Sequence, residues 1–450
     1  MNNVLRLAAI ACAVCAMTST AWSAVAPEEA AKLKTDLTPL GGERAGSKDG
    51  VIPAWDGGYT KVPEGFKTGQ PRPDPFASDK PVFSVTAKNM DQHLQQLTEG
   101  EIALLKKYPS YRIDVYPTRR TEAAPQWVYD NTFKNATRAK ISADGLSIEG
   151  AYGGIPFPIP KTGAEVMWNH LLRWDGESVK QGLRAYLVSG GKAVLGSETM
   201  SEMAFPYYFK DGNPDDKNVE FWQLYMSTVS PAFKAGEIIL TRDAVDQVGK
   251  GRQTWQYLVG QRRVRRAPSV AYDTPNSVTS GVDFFDEAML FNGAMDKYQW
   301  KLVGKKEVIV PYNENGFFLK KASDVLSPNH TNPDFTRFEI HRVWVVDAEL
   351  ASGKRHVLPK RRFYIDEDSW SALWSDSWDA QGQLWHSGMA LPFLAYEFPG
   401  EIQWTYVIYD HLKESYSATI MNEVPSQYAN VPRWPATNFT PESLAARGVR

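Results

Sequence analysis

Apolar and polar residues alternate with a period of two along much of this chain, the pattern of strands that bury one face. In Glu220 to Val229, Trp222, Leu224 and Met226 share one face, with Phe221, Tyr225 and Val229 on the other. In Arg252 to Gly260, Trp255, Tyr257 and Val259 alternate with Thr254, Gln256 and Leu258. Phe338, Ile340, Trp344 and Val346 mark a third such segment within 337–346, and Ile402, Trp404, Tyr406 and Ile408 a fourth within 401–409. Further strands are expected around 128–135, 184–198, 236–242, 298–310, 356–365 and 415–421.

The connections are short and built from Gly, Asp, Asn and Ser, as in Ser189-Gly190-Gly191-Lys192 and Ser352-Gly353-Lys354. Short turns join antiparallel neighbours, whereas parallel strands need long crossovers. No alternation of strand and helix and no fixed-period repeat is present. The pattern predicts a mainly β (α+β) protein: a large, curled antiparallel sheet with a few helices packed on its concave side.

Beyond a short helical stretch at Pro27–Leu33, helical spacing is confined to two places. Met90, Leu94, Leu97, Ile102, Leu104 and Leu105 recur at three- and four-residue intervals, interrupted at Gly100. Thr162 and Glu165 form a capping box ahead of Val166, Met167, His170, Leu171 and Trp174. On that apolar face His170 reads as a satisfied buried histidine. Trp370, Trp374 and Trp378 fit either a helical stripe or one face of a strand. The turn residues around Asp366–Ser369 and Asp379–Gly382 favour strand–turn–strand. Ahead of all this, repeated Gly and Pro from Ala26 to about Phe76 break regular structure and predict an extended arm, tacked down by Trp55.

Composition adds weight to the sheet. The chain holds 15 Trp, 20 Tyr and 20 Phe, and aromatics favour pleated, half-buried surfaces. They serve equally as sheet core and as a wall for apolar or sugar rings. A formal net charge of −2 over 450 residues implies no general attraction to nucleic acid.

Catalytic and metal chemistry find little support. Neither glycine-rich nucleotide loop nor a Gly-x-Ser-x-Gly elbow occurs. The seven histidines never take paired ligand spacing on an evident helix, although a hairpin would bring His341 near His356. Asp366-Glu367-Asp368 lacks the calcium-loop pattern and reads as a solvated turn. Catalytic residues, metal ligands and cofactors are all expected to be none.

The N-terminus has the layout of a Sec signal peptide: Arg6, an apolar run from Leu7 to Met17, and small residues flanking a cleavage site near Ser23/Ala24. The two cysteines, Cys12 and Cys15, lie within it, so the exported chain would have neither disulfides nor cysteine chemistry. The expected location is the periplasm, with association to the outer membrane an open extension. The expected organisation is a signal peptide over 1–23, the arm over 24–85 and a single domain over 86–450.

Several unusual strings are similar to a large family of uncharacterised secreted Gram-negative proteins. They are Ile52-Pro53-Ala54-Trp55-Asp56-Gly57-Gly58, the run Ala151–Pro160, the run Gly260–Pro268, Asp273-Thr274-Pro275 and Phe284-Phe285-Asp286-Glu287. The resemblance spans essentially the whole exported chain. That family is a domain of unknown function, described as outer-membrane lipoprotein-sorting-like and a distant relative of the LolA/LolB carriers. It implies a LolA/LolB-like half-barrel with insertions, an incomplete β-barrel lined with apolar side chains. It further implies a non-enzymatic carrier of lipid or other hydrophobic cargo, working beside an outer-membrane channel-like protein and an RND-type exporter. On this reading the ligand wall is Trp222, Leu224, Trp255, Tyr257, Val259, Trp344, Trp404 and Tyr406. Arg263 and Arg265 would meet an anionic head group, unless the Arg262–Arg266 cluster only protects a strand edge. A protein-binding accessory subunit of an export complex and a polysaccharide-active protein remain the alternatives.

Overall fold

The computed structural model describes residues 24–216, 218–267 and 272–448, so the expected signal peptide lies outside the described residues. Its framework is a 16-stranded sheet. A first wing runs β1 (Ser178–Ser189), β2 (Lys192–Ala204), β3 (Glu220–Ser230), β4 (Ile238–Ala244), β5 (Gln253–Leu258) and β6 (Arg263–Arg266). A second wing runs β7 (Tyr298–Pro311), β8 (Phe338–Leu350), β9 (Lys360–Asp366), β10 (Ala372–Trp378), β11 (Leu384–Ala390), β12 (Tyr406–Asp410) and β13 (Ser415–Ile420). Each wing is a meander of antiparallel neighbours. β13 pairs antiparallel with β1, Tyr416 opposite Val188, and so welds the two wings into one sheet.

Three short strands, Phe83–Val85, Ile113–Val115 and Ala429–Asn430, extend the sheet at its margins. The one parallel contact among the described strands, Phe338 with Val115, makes it mixed. β6 and β7 are left at opposite ends, so the sheet curls without closing. Register shifts interrupt the ladders at Ala185/Tyr186, Glu198/Thr199, Glu220/Trp222, Leu302/Gly304, Tyr364/Ile365 and Ser377/Trp378. Each such irregularity adds local twist and bend, which is what bends a flat meander into a trough. The β1–β2 hairpin turns at Gly190 and Gly191, with φ of +56° and +76°. Positive φ at both central residues matches the strand twist and is open to glycine at no steric cost.

Among the described residues four helices have at least two turns: α1 (Glu99–Lys107), α2 (Gln126–Arg138), α3 (Gly163–Leu171) and α4 (Pro441–Gly448). α1 and α3 begin with reciprocal capping boxes, Thr98 with Glu101 and Thr162 with Glu165. Gly100 does not break α1. It sits in the first turn, where a Cβ would come within 2.1 Å of Ser387 Oγ. His170 on α3 is fully buried between the carbonyls of Phe291 and Trp370, and burial pushes it down to about 3.

Three expectations are corrected. The segment 128–135 is helix, not strand. Val128, Thr132, Asn135 and Ala136 are its buried positions, a helical spacing that a period-two reading misses. The segment 401–409 is not one strand: Glu401–Ile402 pairs with Phe393–Leu394, and only Tyr406–Asp410 joins the main sheet. Asp366-Glu367-Asp368 is no solvated turn, because all three side chains are buried among cations. Asp368 accepts from Arg120 at 2.7 and 2.8 Å, and Glu367 accepts from Arg342 at 3.0 Å and Lys305 at 2.7 Å.

That charged cluster moors the N-terminal segment. Arg342 also donates to the Ala45 carbonyl at 2.9 Å, and Trp370 donates to the Leu40 carbonyl at 2.9 Å. Trp370 adopts φ +62° in the turn ahead of β10, while Trp374 and Trp378 follow on one face of that strand. Trp55 donates from its indole nitrogen to the Glu122 carbonyl at 3.0 Å.

Candidate functional site

The pleat of the first wing sends one set of side chains into the trough. β1 contributes Gln181, Leu183 and Ala185, β2 contributes Ser197, Thr199 and Ser201, and β3 contributes Trp222, Leu224, Met226 and Thr228. Ile239 and Thr241 of β4 and Gln256 of β5 complete that face. Trp404 and Tyr406 close it from the second wing. Above them passes the irregular segment 272–295 that links β6 to β7, presenting Val278, Phe284, Phe285 and Met289. Together they enclose about 250 Å³. A dry cavity of roughly 150 Å³ already binds benzene, and small-molecule pockets start near 300 Å³. The half-exposed Lys234 and Glu237, on the turn between β3 and β4, mark its rim.

The covering segment has little regular structure of its own and is held by buried ion pairs to the second wing. Asp286 accepts from Arg361 Nη1 at 2.8 Å and pairs with His356 Nε2 at 3.0 Å. Burial alone would raise the Asp286 pKa; Arg361 and His356 outweigh it and hold the carboxyl below its ordinary value. Arg361 also donates to the Leu290 carbonyl at 2.9 Å. One residue on, Glu287 pairs with His386 Nδ1 at 2.8 Å, and Phe284 stacks on the same imidazole with centroids 5.3 Å apart. Burial lowers the His386 pKa, yet Glu287 and Asp410 together carry it up to about 9. Asp283 lines the cavity itself, and burial pushes it up to about 6 despite donors from Thr279 and Asn276.

The cover is fastened to the first wing as well. Arg252 of the β4–β5 connection donates to both oxygens of Asp243, at 2.8 and 2.6 Å, and to Asn292 Oδ1 at 2.6 Å. Met289 and Leu290 sit at φ +53° and +66°, a region costly for residues with a Cβ. The ties at Asp286, Glu287 and Asn292 bracket that pair.

The eight wall residues expected from the sequence do not all meet. Trp222, Leu224, Trp404 and Tyr406 line the cavity. Trp255 and Tyr257 point to the opposite face of the sheet, where Tyr257 packs with Tyr225, Leu240, Phe439 and Leu444. The C-terminal segment with α4 covers that face, so its aromatics are core. Val259 is 38% exposed in a turn. Trp344 lies under Lys305, stacked 6.4 Å from Trp370, away from the cavity. Arg263 and Arg265 are exposed on the edge strand β6 and meet no part of the cavity lining. The covering residues were missed because an irregular segment has no periodicity to read; the string Phe284–Glu287 was its one legible trace.

Among the described residues no group of three or more His, Cys, Asp or Glu could hold a metal ion. His341 turns to Glu339 at 3.0 Å and His356 to Asp286, so the hairpin does not bring the two imidazoles to one site. No helix of the described residues is long and apolar enough to cross a membrane.

Comparison with solved structures finds an outer-membrane lipoprotein-sorting protein domain from Vibrio parahaemolyticus, described there as putative, at 12% identity and a TM-score of 0.43. It covers 62% of this chain and 97% of that one. A DUF1329 protein from Desulfovibrio piger gives 12% identity and a TM-score of 0.41, covering 60% and 92%. A LolA superfamily protein from Nitrosomonas europaea gives 11% and 0.37, covering 62% and 98%. An uncharacterised protein of Pseudomonas aeruginosa is 39% identical over 438 residues, 95% of each chain. The family model for proteins of unknown function DUF1329 matches residues 84–445, and the chain belongs to that family.

Proposed function

We propose that this protein is a periplasmic, non-enzymatic carrier or binding protein for a lipid or other hydrophobic cargo. The observation that carries the reading is the roofed trough: a cavity of about 250 Å³ walled by Trp222, Leu224, Met226, Trp404 and Tyr406, covered by a separately tethered segment and open at its rim. A core built only for stability would close such a space, since residual cavities cost about 24 cal/mol per Å³. Burying an alkyl chain there contributes about 0.8 kcal/mol per methylene. Serine and threonine hydroxyls of β2 to β4 intersperse the apolar wall, so the lining suits an amphiphile better than a pure hydrocarbon.

Release requires the roof to move, and its attachments at Asp286, Glu287 and Asn292 are the points where a partner would act. Handover to an outer-membrane channel-like protein or an RND-type exporter belongs to the same proposal. The test is native mass spectrometry with solvent extraction on protein purified from periplasm without detergent. A near-stoichiometric co-purified lipophile supports the carrier. An apo mass that persists after incubation with envelope lipid extract overturns it.

A further inference from the structure

At the Trp222 end the trough adjoins a small pocket of about 20 Å³, mostly apolar but with Arg173, Asp175 and Asn292 in its lining. Trp222, Met289, Asn292 and Trp404 line both spaces, so the two meet there. Beside them stand Arg173 and Asp175, both just beyond the end of α3, an ion pair 3.3 Å apart with both side chains 5% exposed.

Three side chains around this pocket carry a buried polar atom for which the protein supplies no partner: Arg173 Nε, Asp175 Oδ1 and Trp222 Nε1. Neighbouring atoms of the pair are engaged. Arg173 Nη1 donates to the His170 carbonyl at 2.7 Å, and Nη2 donates to the Gln403 carbonyl at 3.1 Å. Asp175 Oδ2 accepts from Trp404 Nε1 at 3.1 Å. A buried polar group left without a partner is destabilising, and here the three belong to residues lining one small pocket that adjoins the larger cavity.

Their chemistry restricts the occupant. Two N–H donors and one carboxylate oxygen match a hydroxyl, which accepts from the donors and donates to the acceptor. Arg173 and Asp175 neutralise each other, so an incoming carboxylate or phosphate would be buried without a counter-charge. About 20 Å³ of water-sized space admits a group like one water molecule and no tetrahedral anion.

We propose that this pocket takes the hydroxyl group of a lipophilic alcohol, which enters head first and lays its chain along Trp222, Leu224 and Met226 towards the rim. The inference rests on the carrier reading and adds the head-group class and the polarity of binding. Resting on the six-residue step from Trp222 to Thr228, the chain has roughly 20 Å of wall at about 3.4 Å per residue.

The test is calorimetric titration of the full exported chain with three ten-carbon probes: 1-decanol, decyl methyl ether and decanoate, at neutral pH. Decanol is expected to bind about tenfold more tightly than the ether, which keeps an acceptor but has no hydrogen to donate to Asp175, and decanoate is expected to bind more weakly than decanol. Trp222→Phe keeps the ring and deletes the indole donor; it is expected to weaken decanol about fivefold. Equal affinity for decanol and ether, or tightest binding of decanoate, overturns the head-group inference and leaves the carrier reading standing. Binding of none of the three overturns the carrier reading and this inference with it. The probe series on the unmodified protein decides the matter even if the variant fails to fold.

Discussion

His386 of β11 and Glu287 of the covering segment form a buried ion pair at 2.8 Å, and both side chains are at most 3% exposed. The two residues are 99 positions apart in the chain. Their pairing is therefore a property of the closed trough and disappears when the cover lifts or the chain unfolds. The neighbouring strand β12 places Asp410 3.8 Å from the other imidazole nitrogen, so one cation is shared between two acids.

This arrangement makes stability depend on pH in a defined direction. The folded-state pKa of His386 is about 9 against an ordinary 6.5. Its contribution is therefore fully present below about pH 6.5 and is lost as pH rises towards 9. The difference corresponds to about 3 kcal/mol. Urea unfolding of the unmodified protein and of His386→Gln should differ most at pH 6 and converge by pH 9. A gap that stays constant across this range would show that the pair is not the cause.

Arg361 is fully buried and spans from Asp286 to the Leu290 carbonyl, at 2.8 and 2.9 Å. Arg361→Met would leave Asp286 facing only His356 in a dry environment. Removing one partner of a buried pair costs about 3 to 5 kcal/mol, and replacing both by apolar residues costs far less. Arg361→Met is therefore expected to be less stable in urea than the double variant Arg361→Met/Asp286→Leu. Hydrogen exchange should show the loss concentrated in residues 284–292.

Much of the sheet was legible because its strands alternate so regularly, β3 and β8 above all. Alternation states which residues share a face, but not which face looks into the trough. Trp222 and Trp255 look equivalent in the chain; only the C-terminal segment, with Phe439 and Leu444 nearly 200 residues beyond Trp255, settles that Tyr257 and its neighbours are core. The acidic run at 366–368 looks solvated in the chain because its partners, Arg120, Arg342 and Lys305, come from remote segments. The roof was the least legible part. Its conformation is set by ion pairs to the second wing, and such pairs leave no local periodic trace.

Met226 stands half-buried midway along the cavity wall. Met226→Trp adds side-chain volume into open space and so avoids the usual overpacking penalty of about 1 to 3 kcal/mol. It is expected to leave the urea midpoint nearly unchanged while removing the co-purified lipophile. Retention of cargo at the same stoichiometry would place the binding site elsewhere.

The two faces of the sheet offer the sharpest separation of fold from binding. Tyr257 is 2% exposed and packs beneath α4, whereas Trp404 is 7% exposed and closes the trough. Truncating either large aromatic to alanine removes about 3 to 5 kcal/mol of packing in a closed core. For Tyr257→Ala that loss should appear in full, with α4 loosened in hydrogen exchange and cargo still bound at the temperature where the variant is folded. Trp404→Ala also removes the donor to Asp175 and widens the passage to the inner pocket. Decanol affinity is therefore expected to fall by at least tenfold for Trp404→Ala and to stay within about twofold for Tyr257→Ala, a contrast of at least fivefold, or about 1 kcal/mol in binding. If Tyr257→Ala lost the ligand while folded and Trp404→Ala kept it, the concave face would not be the binding face.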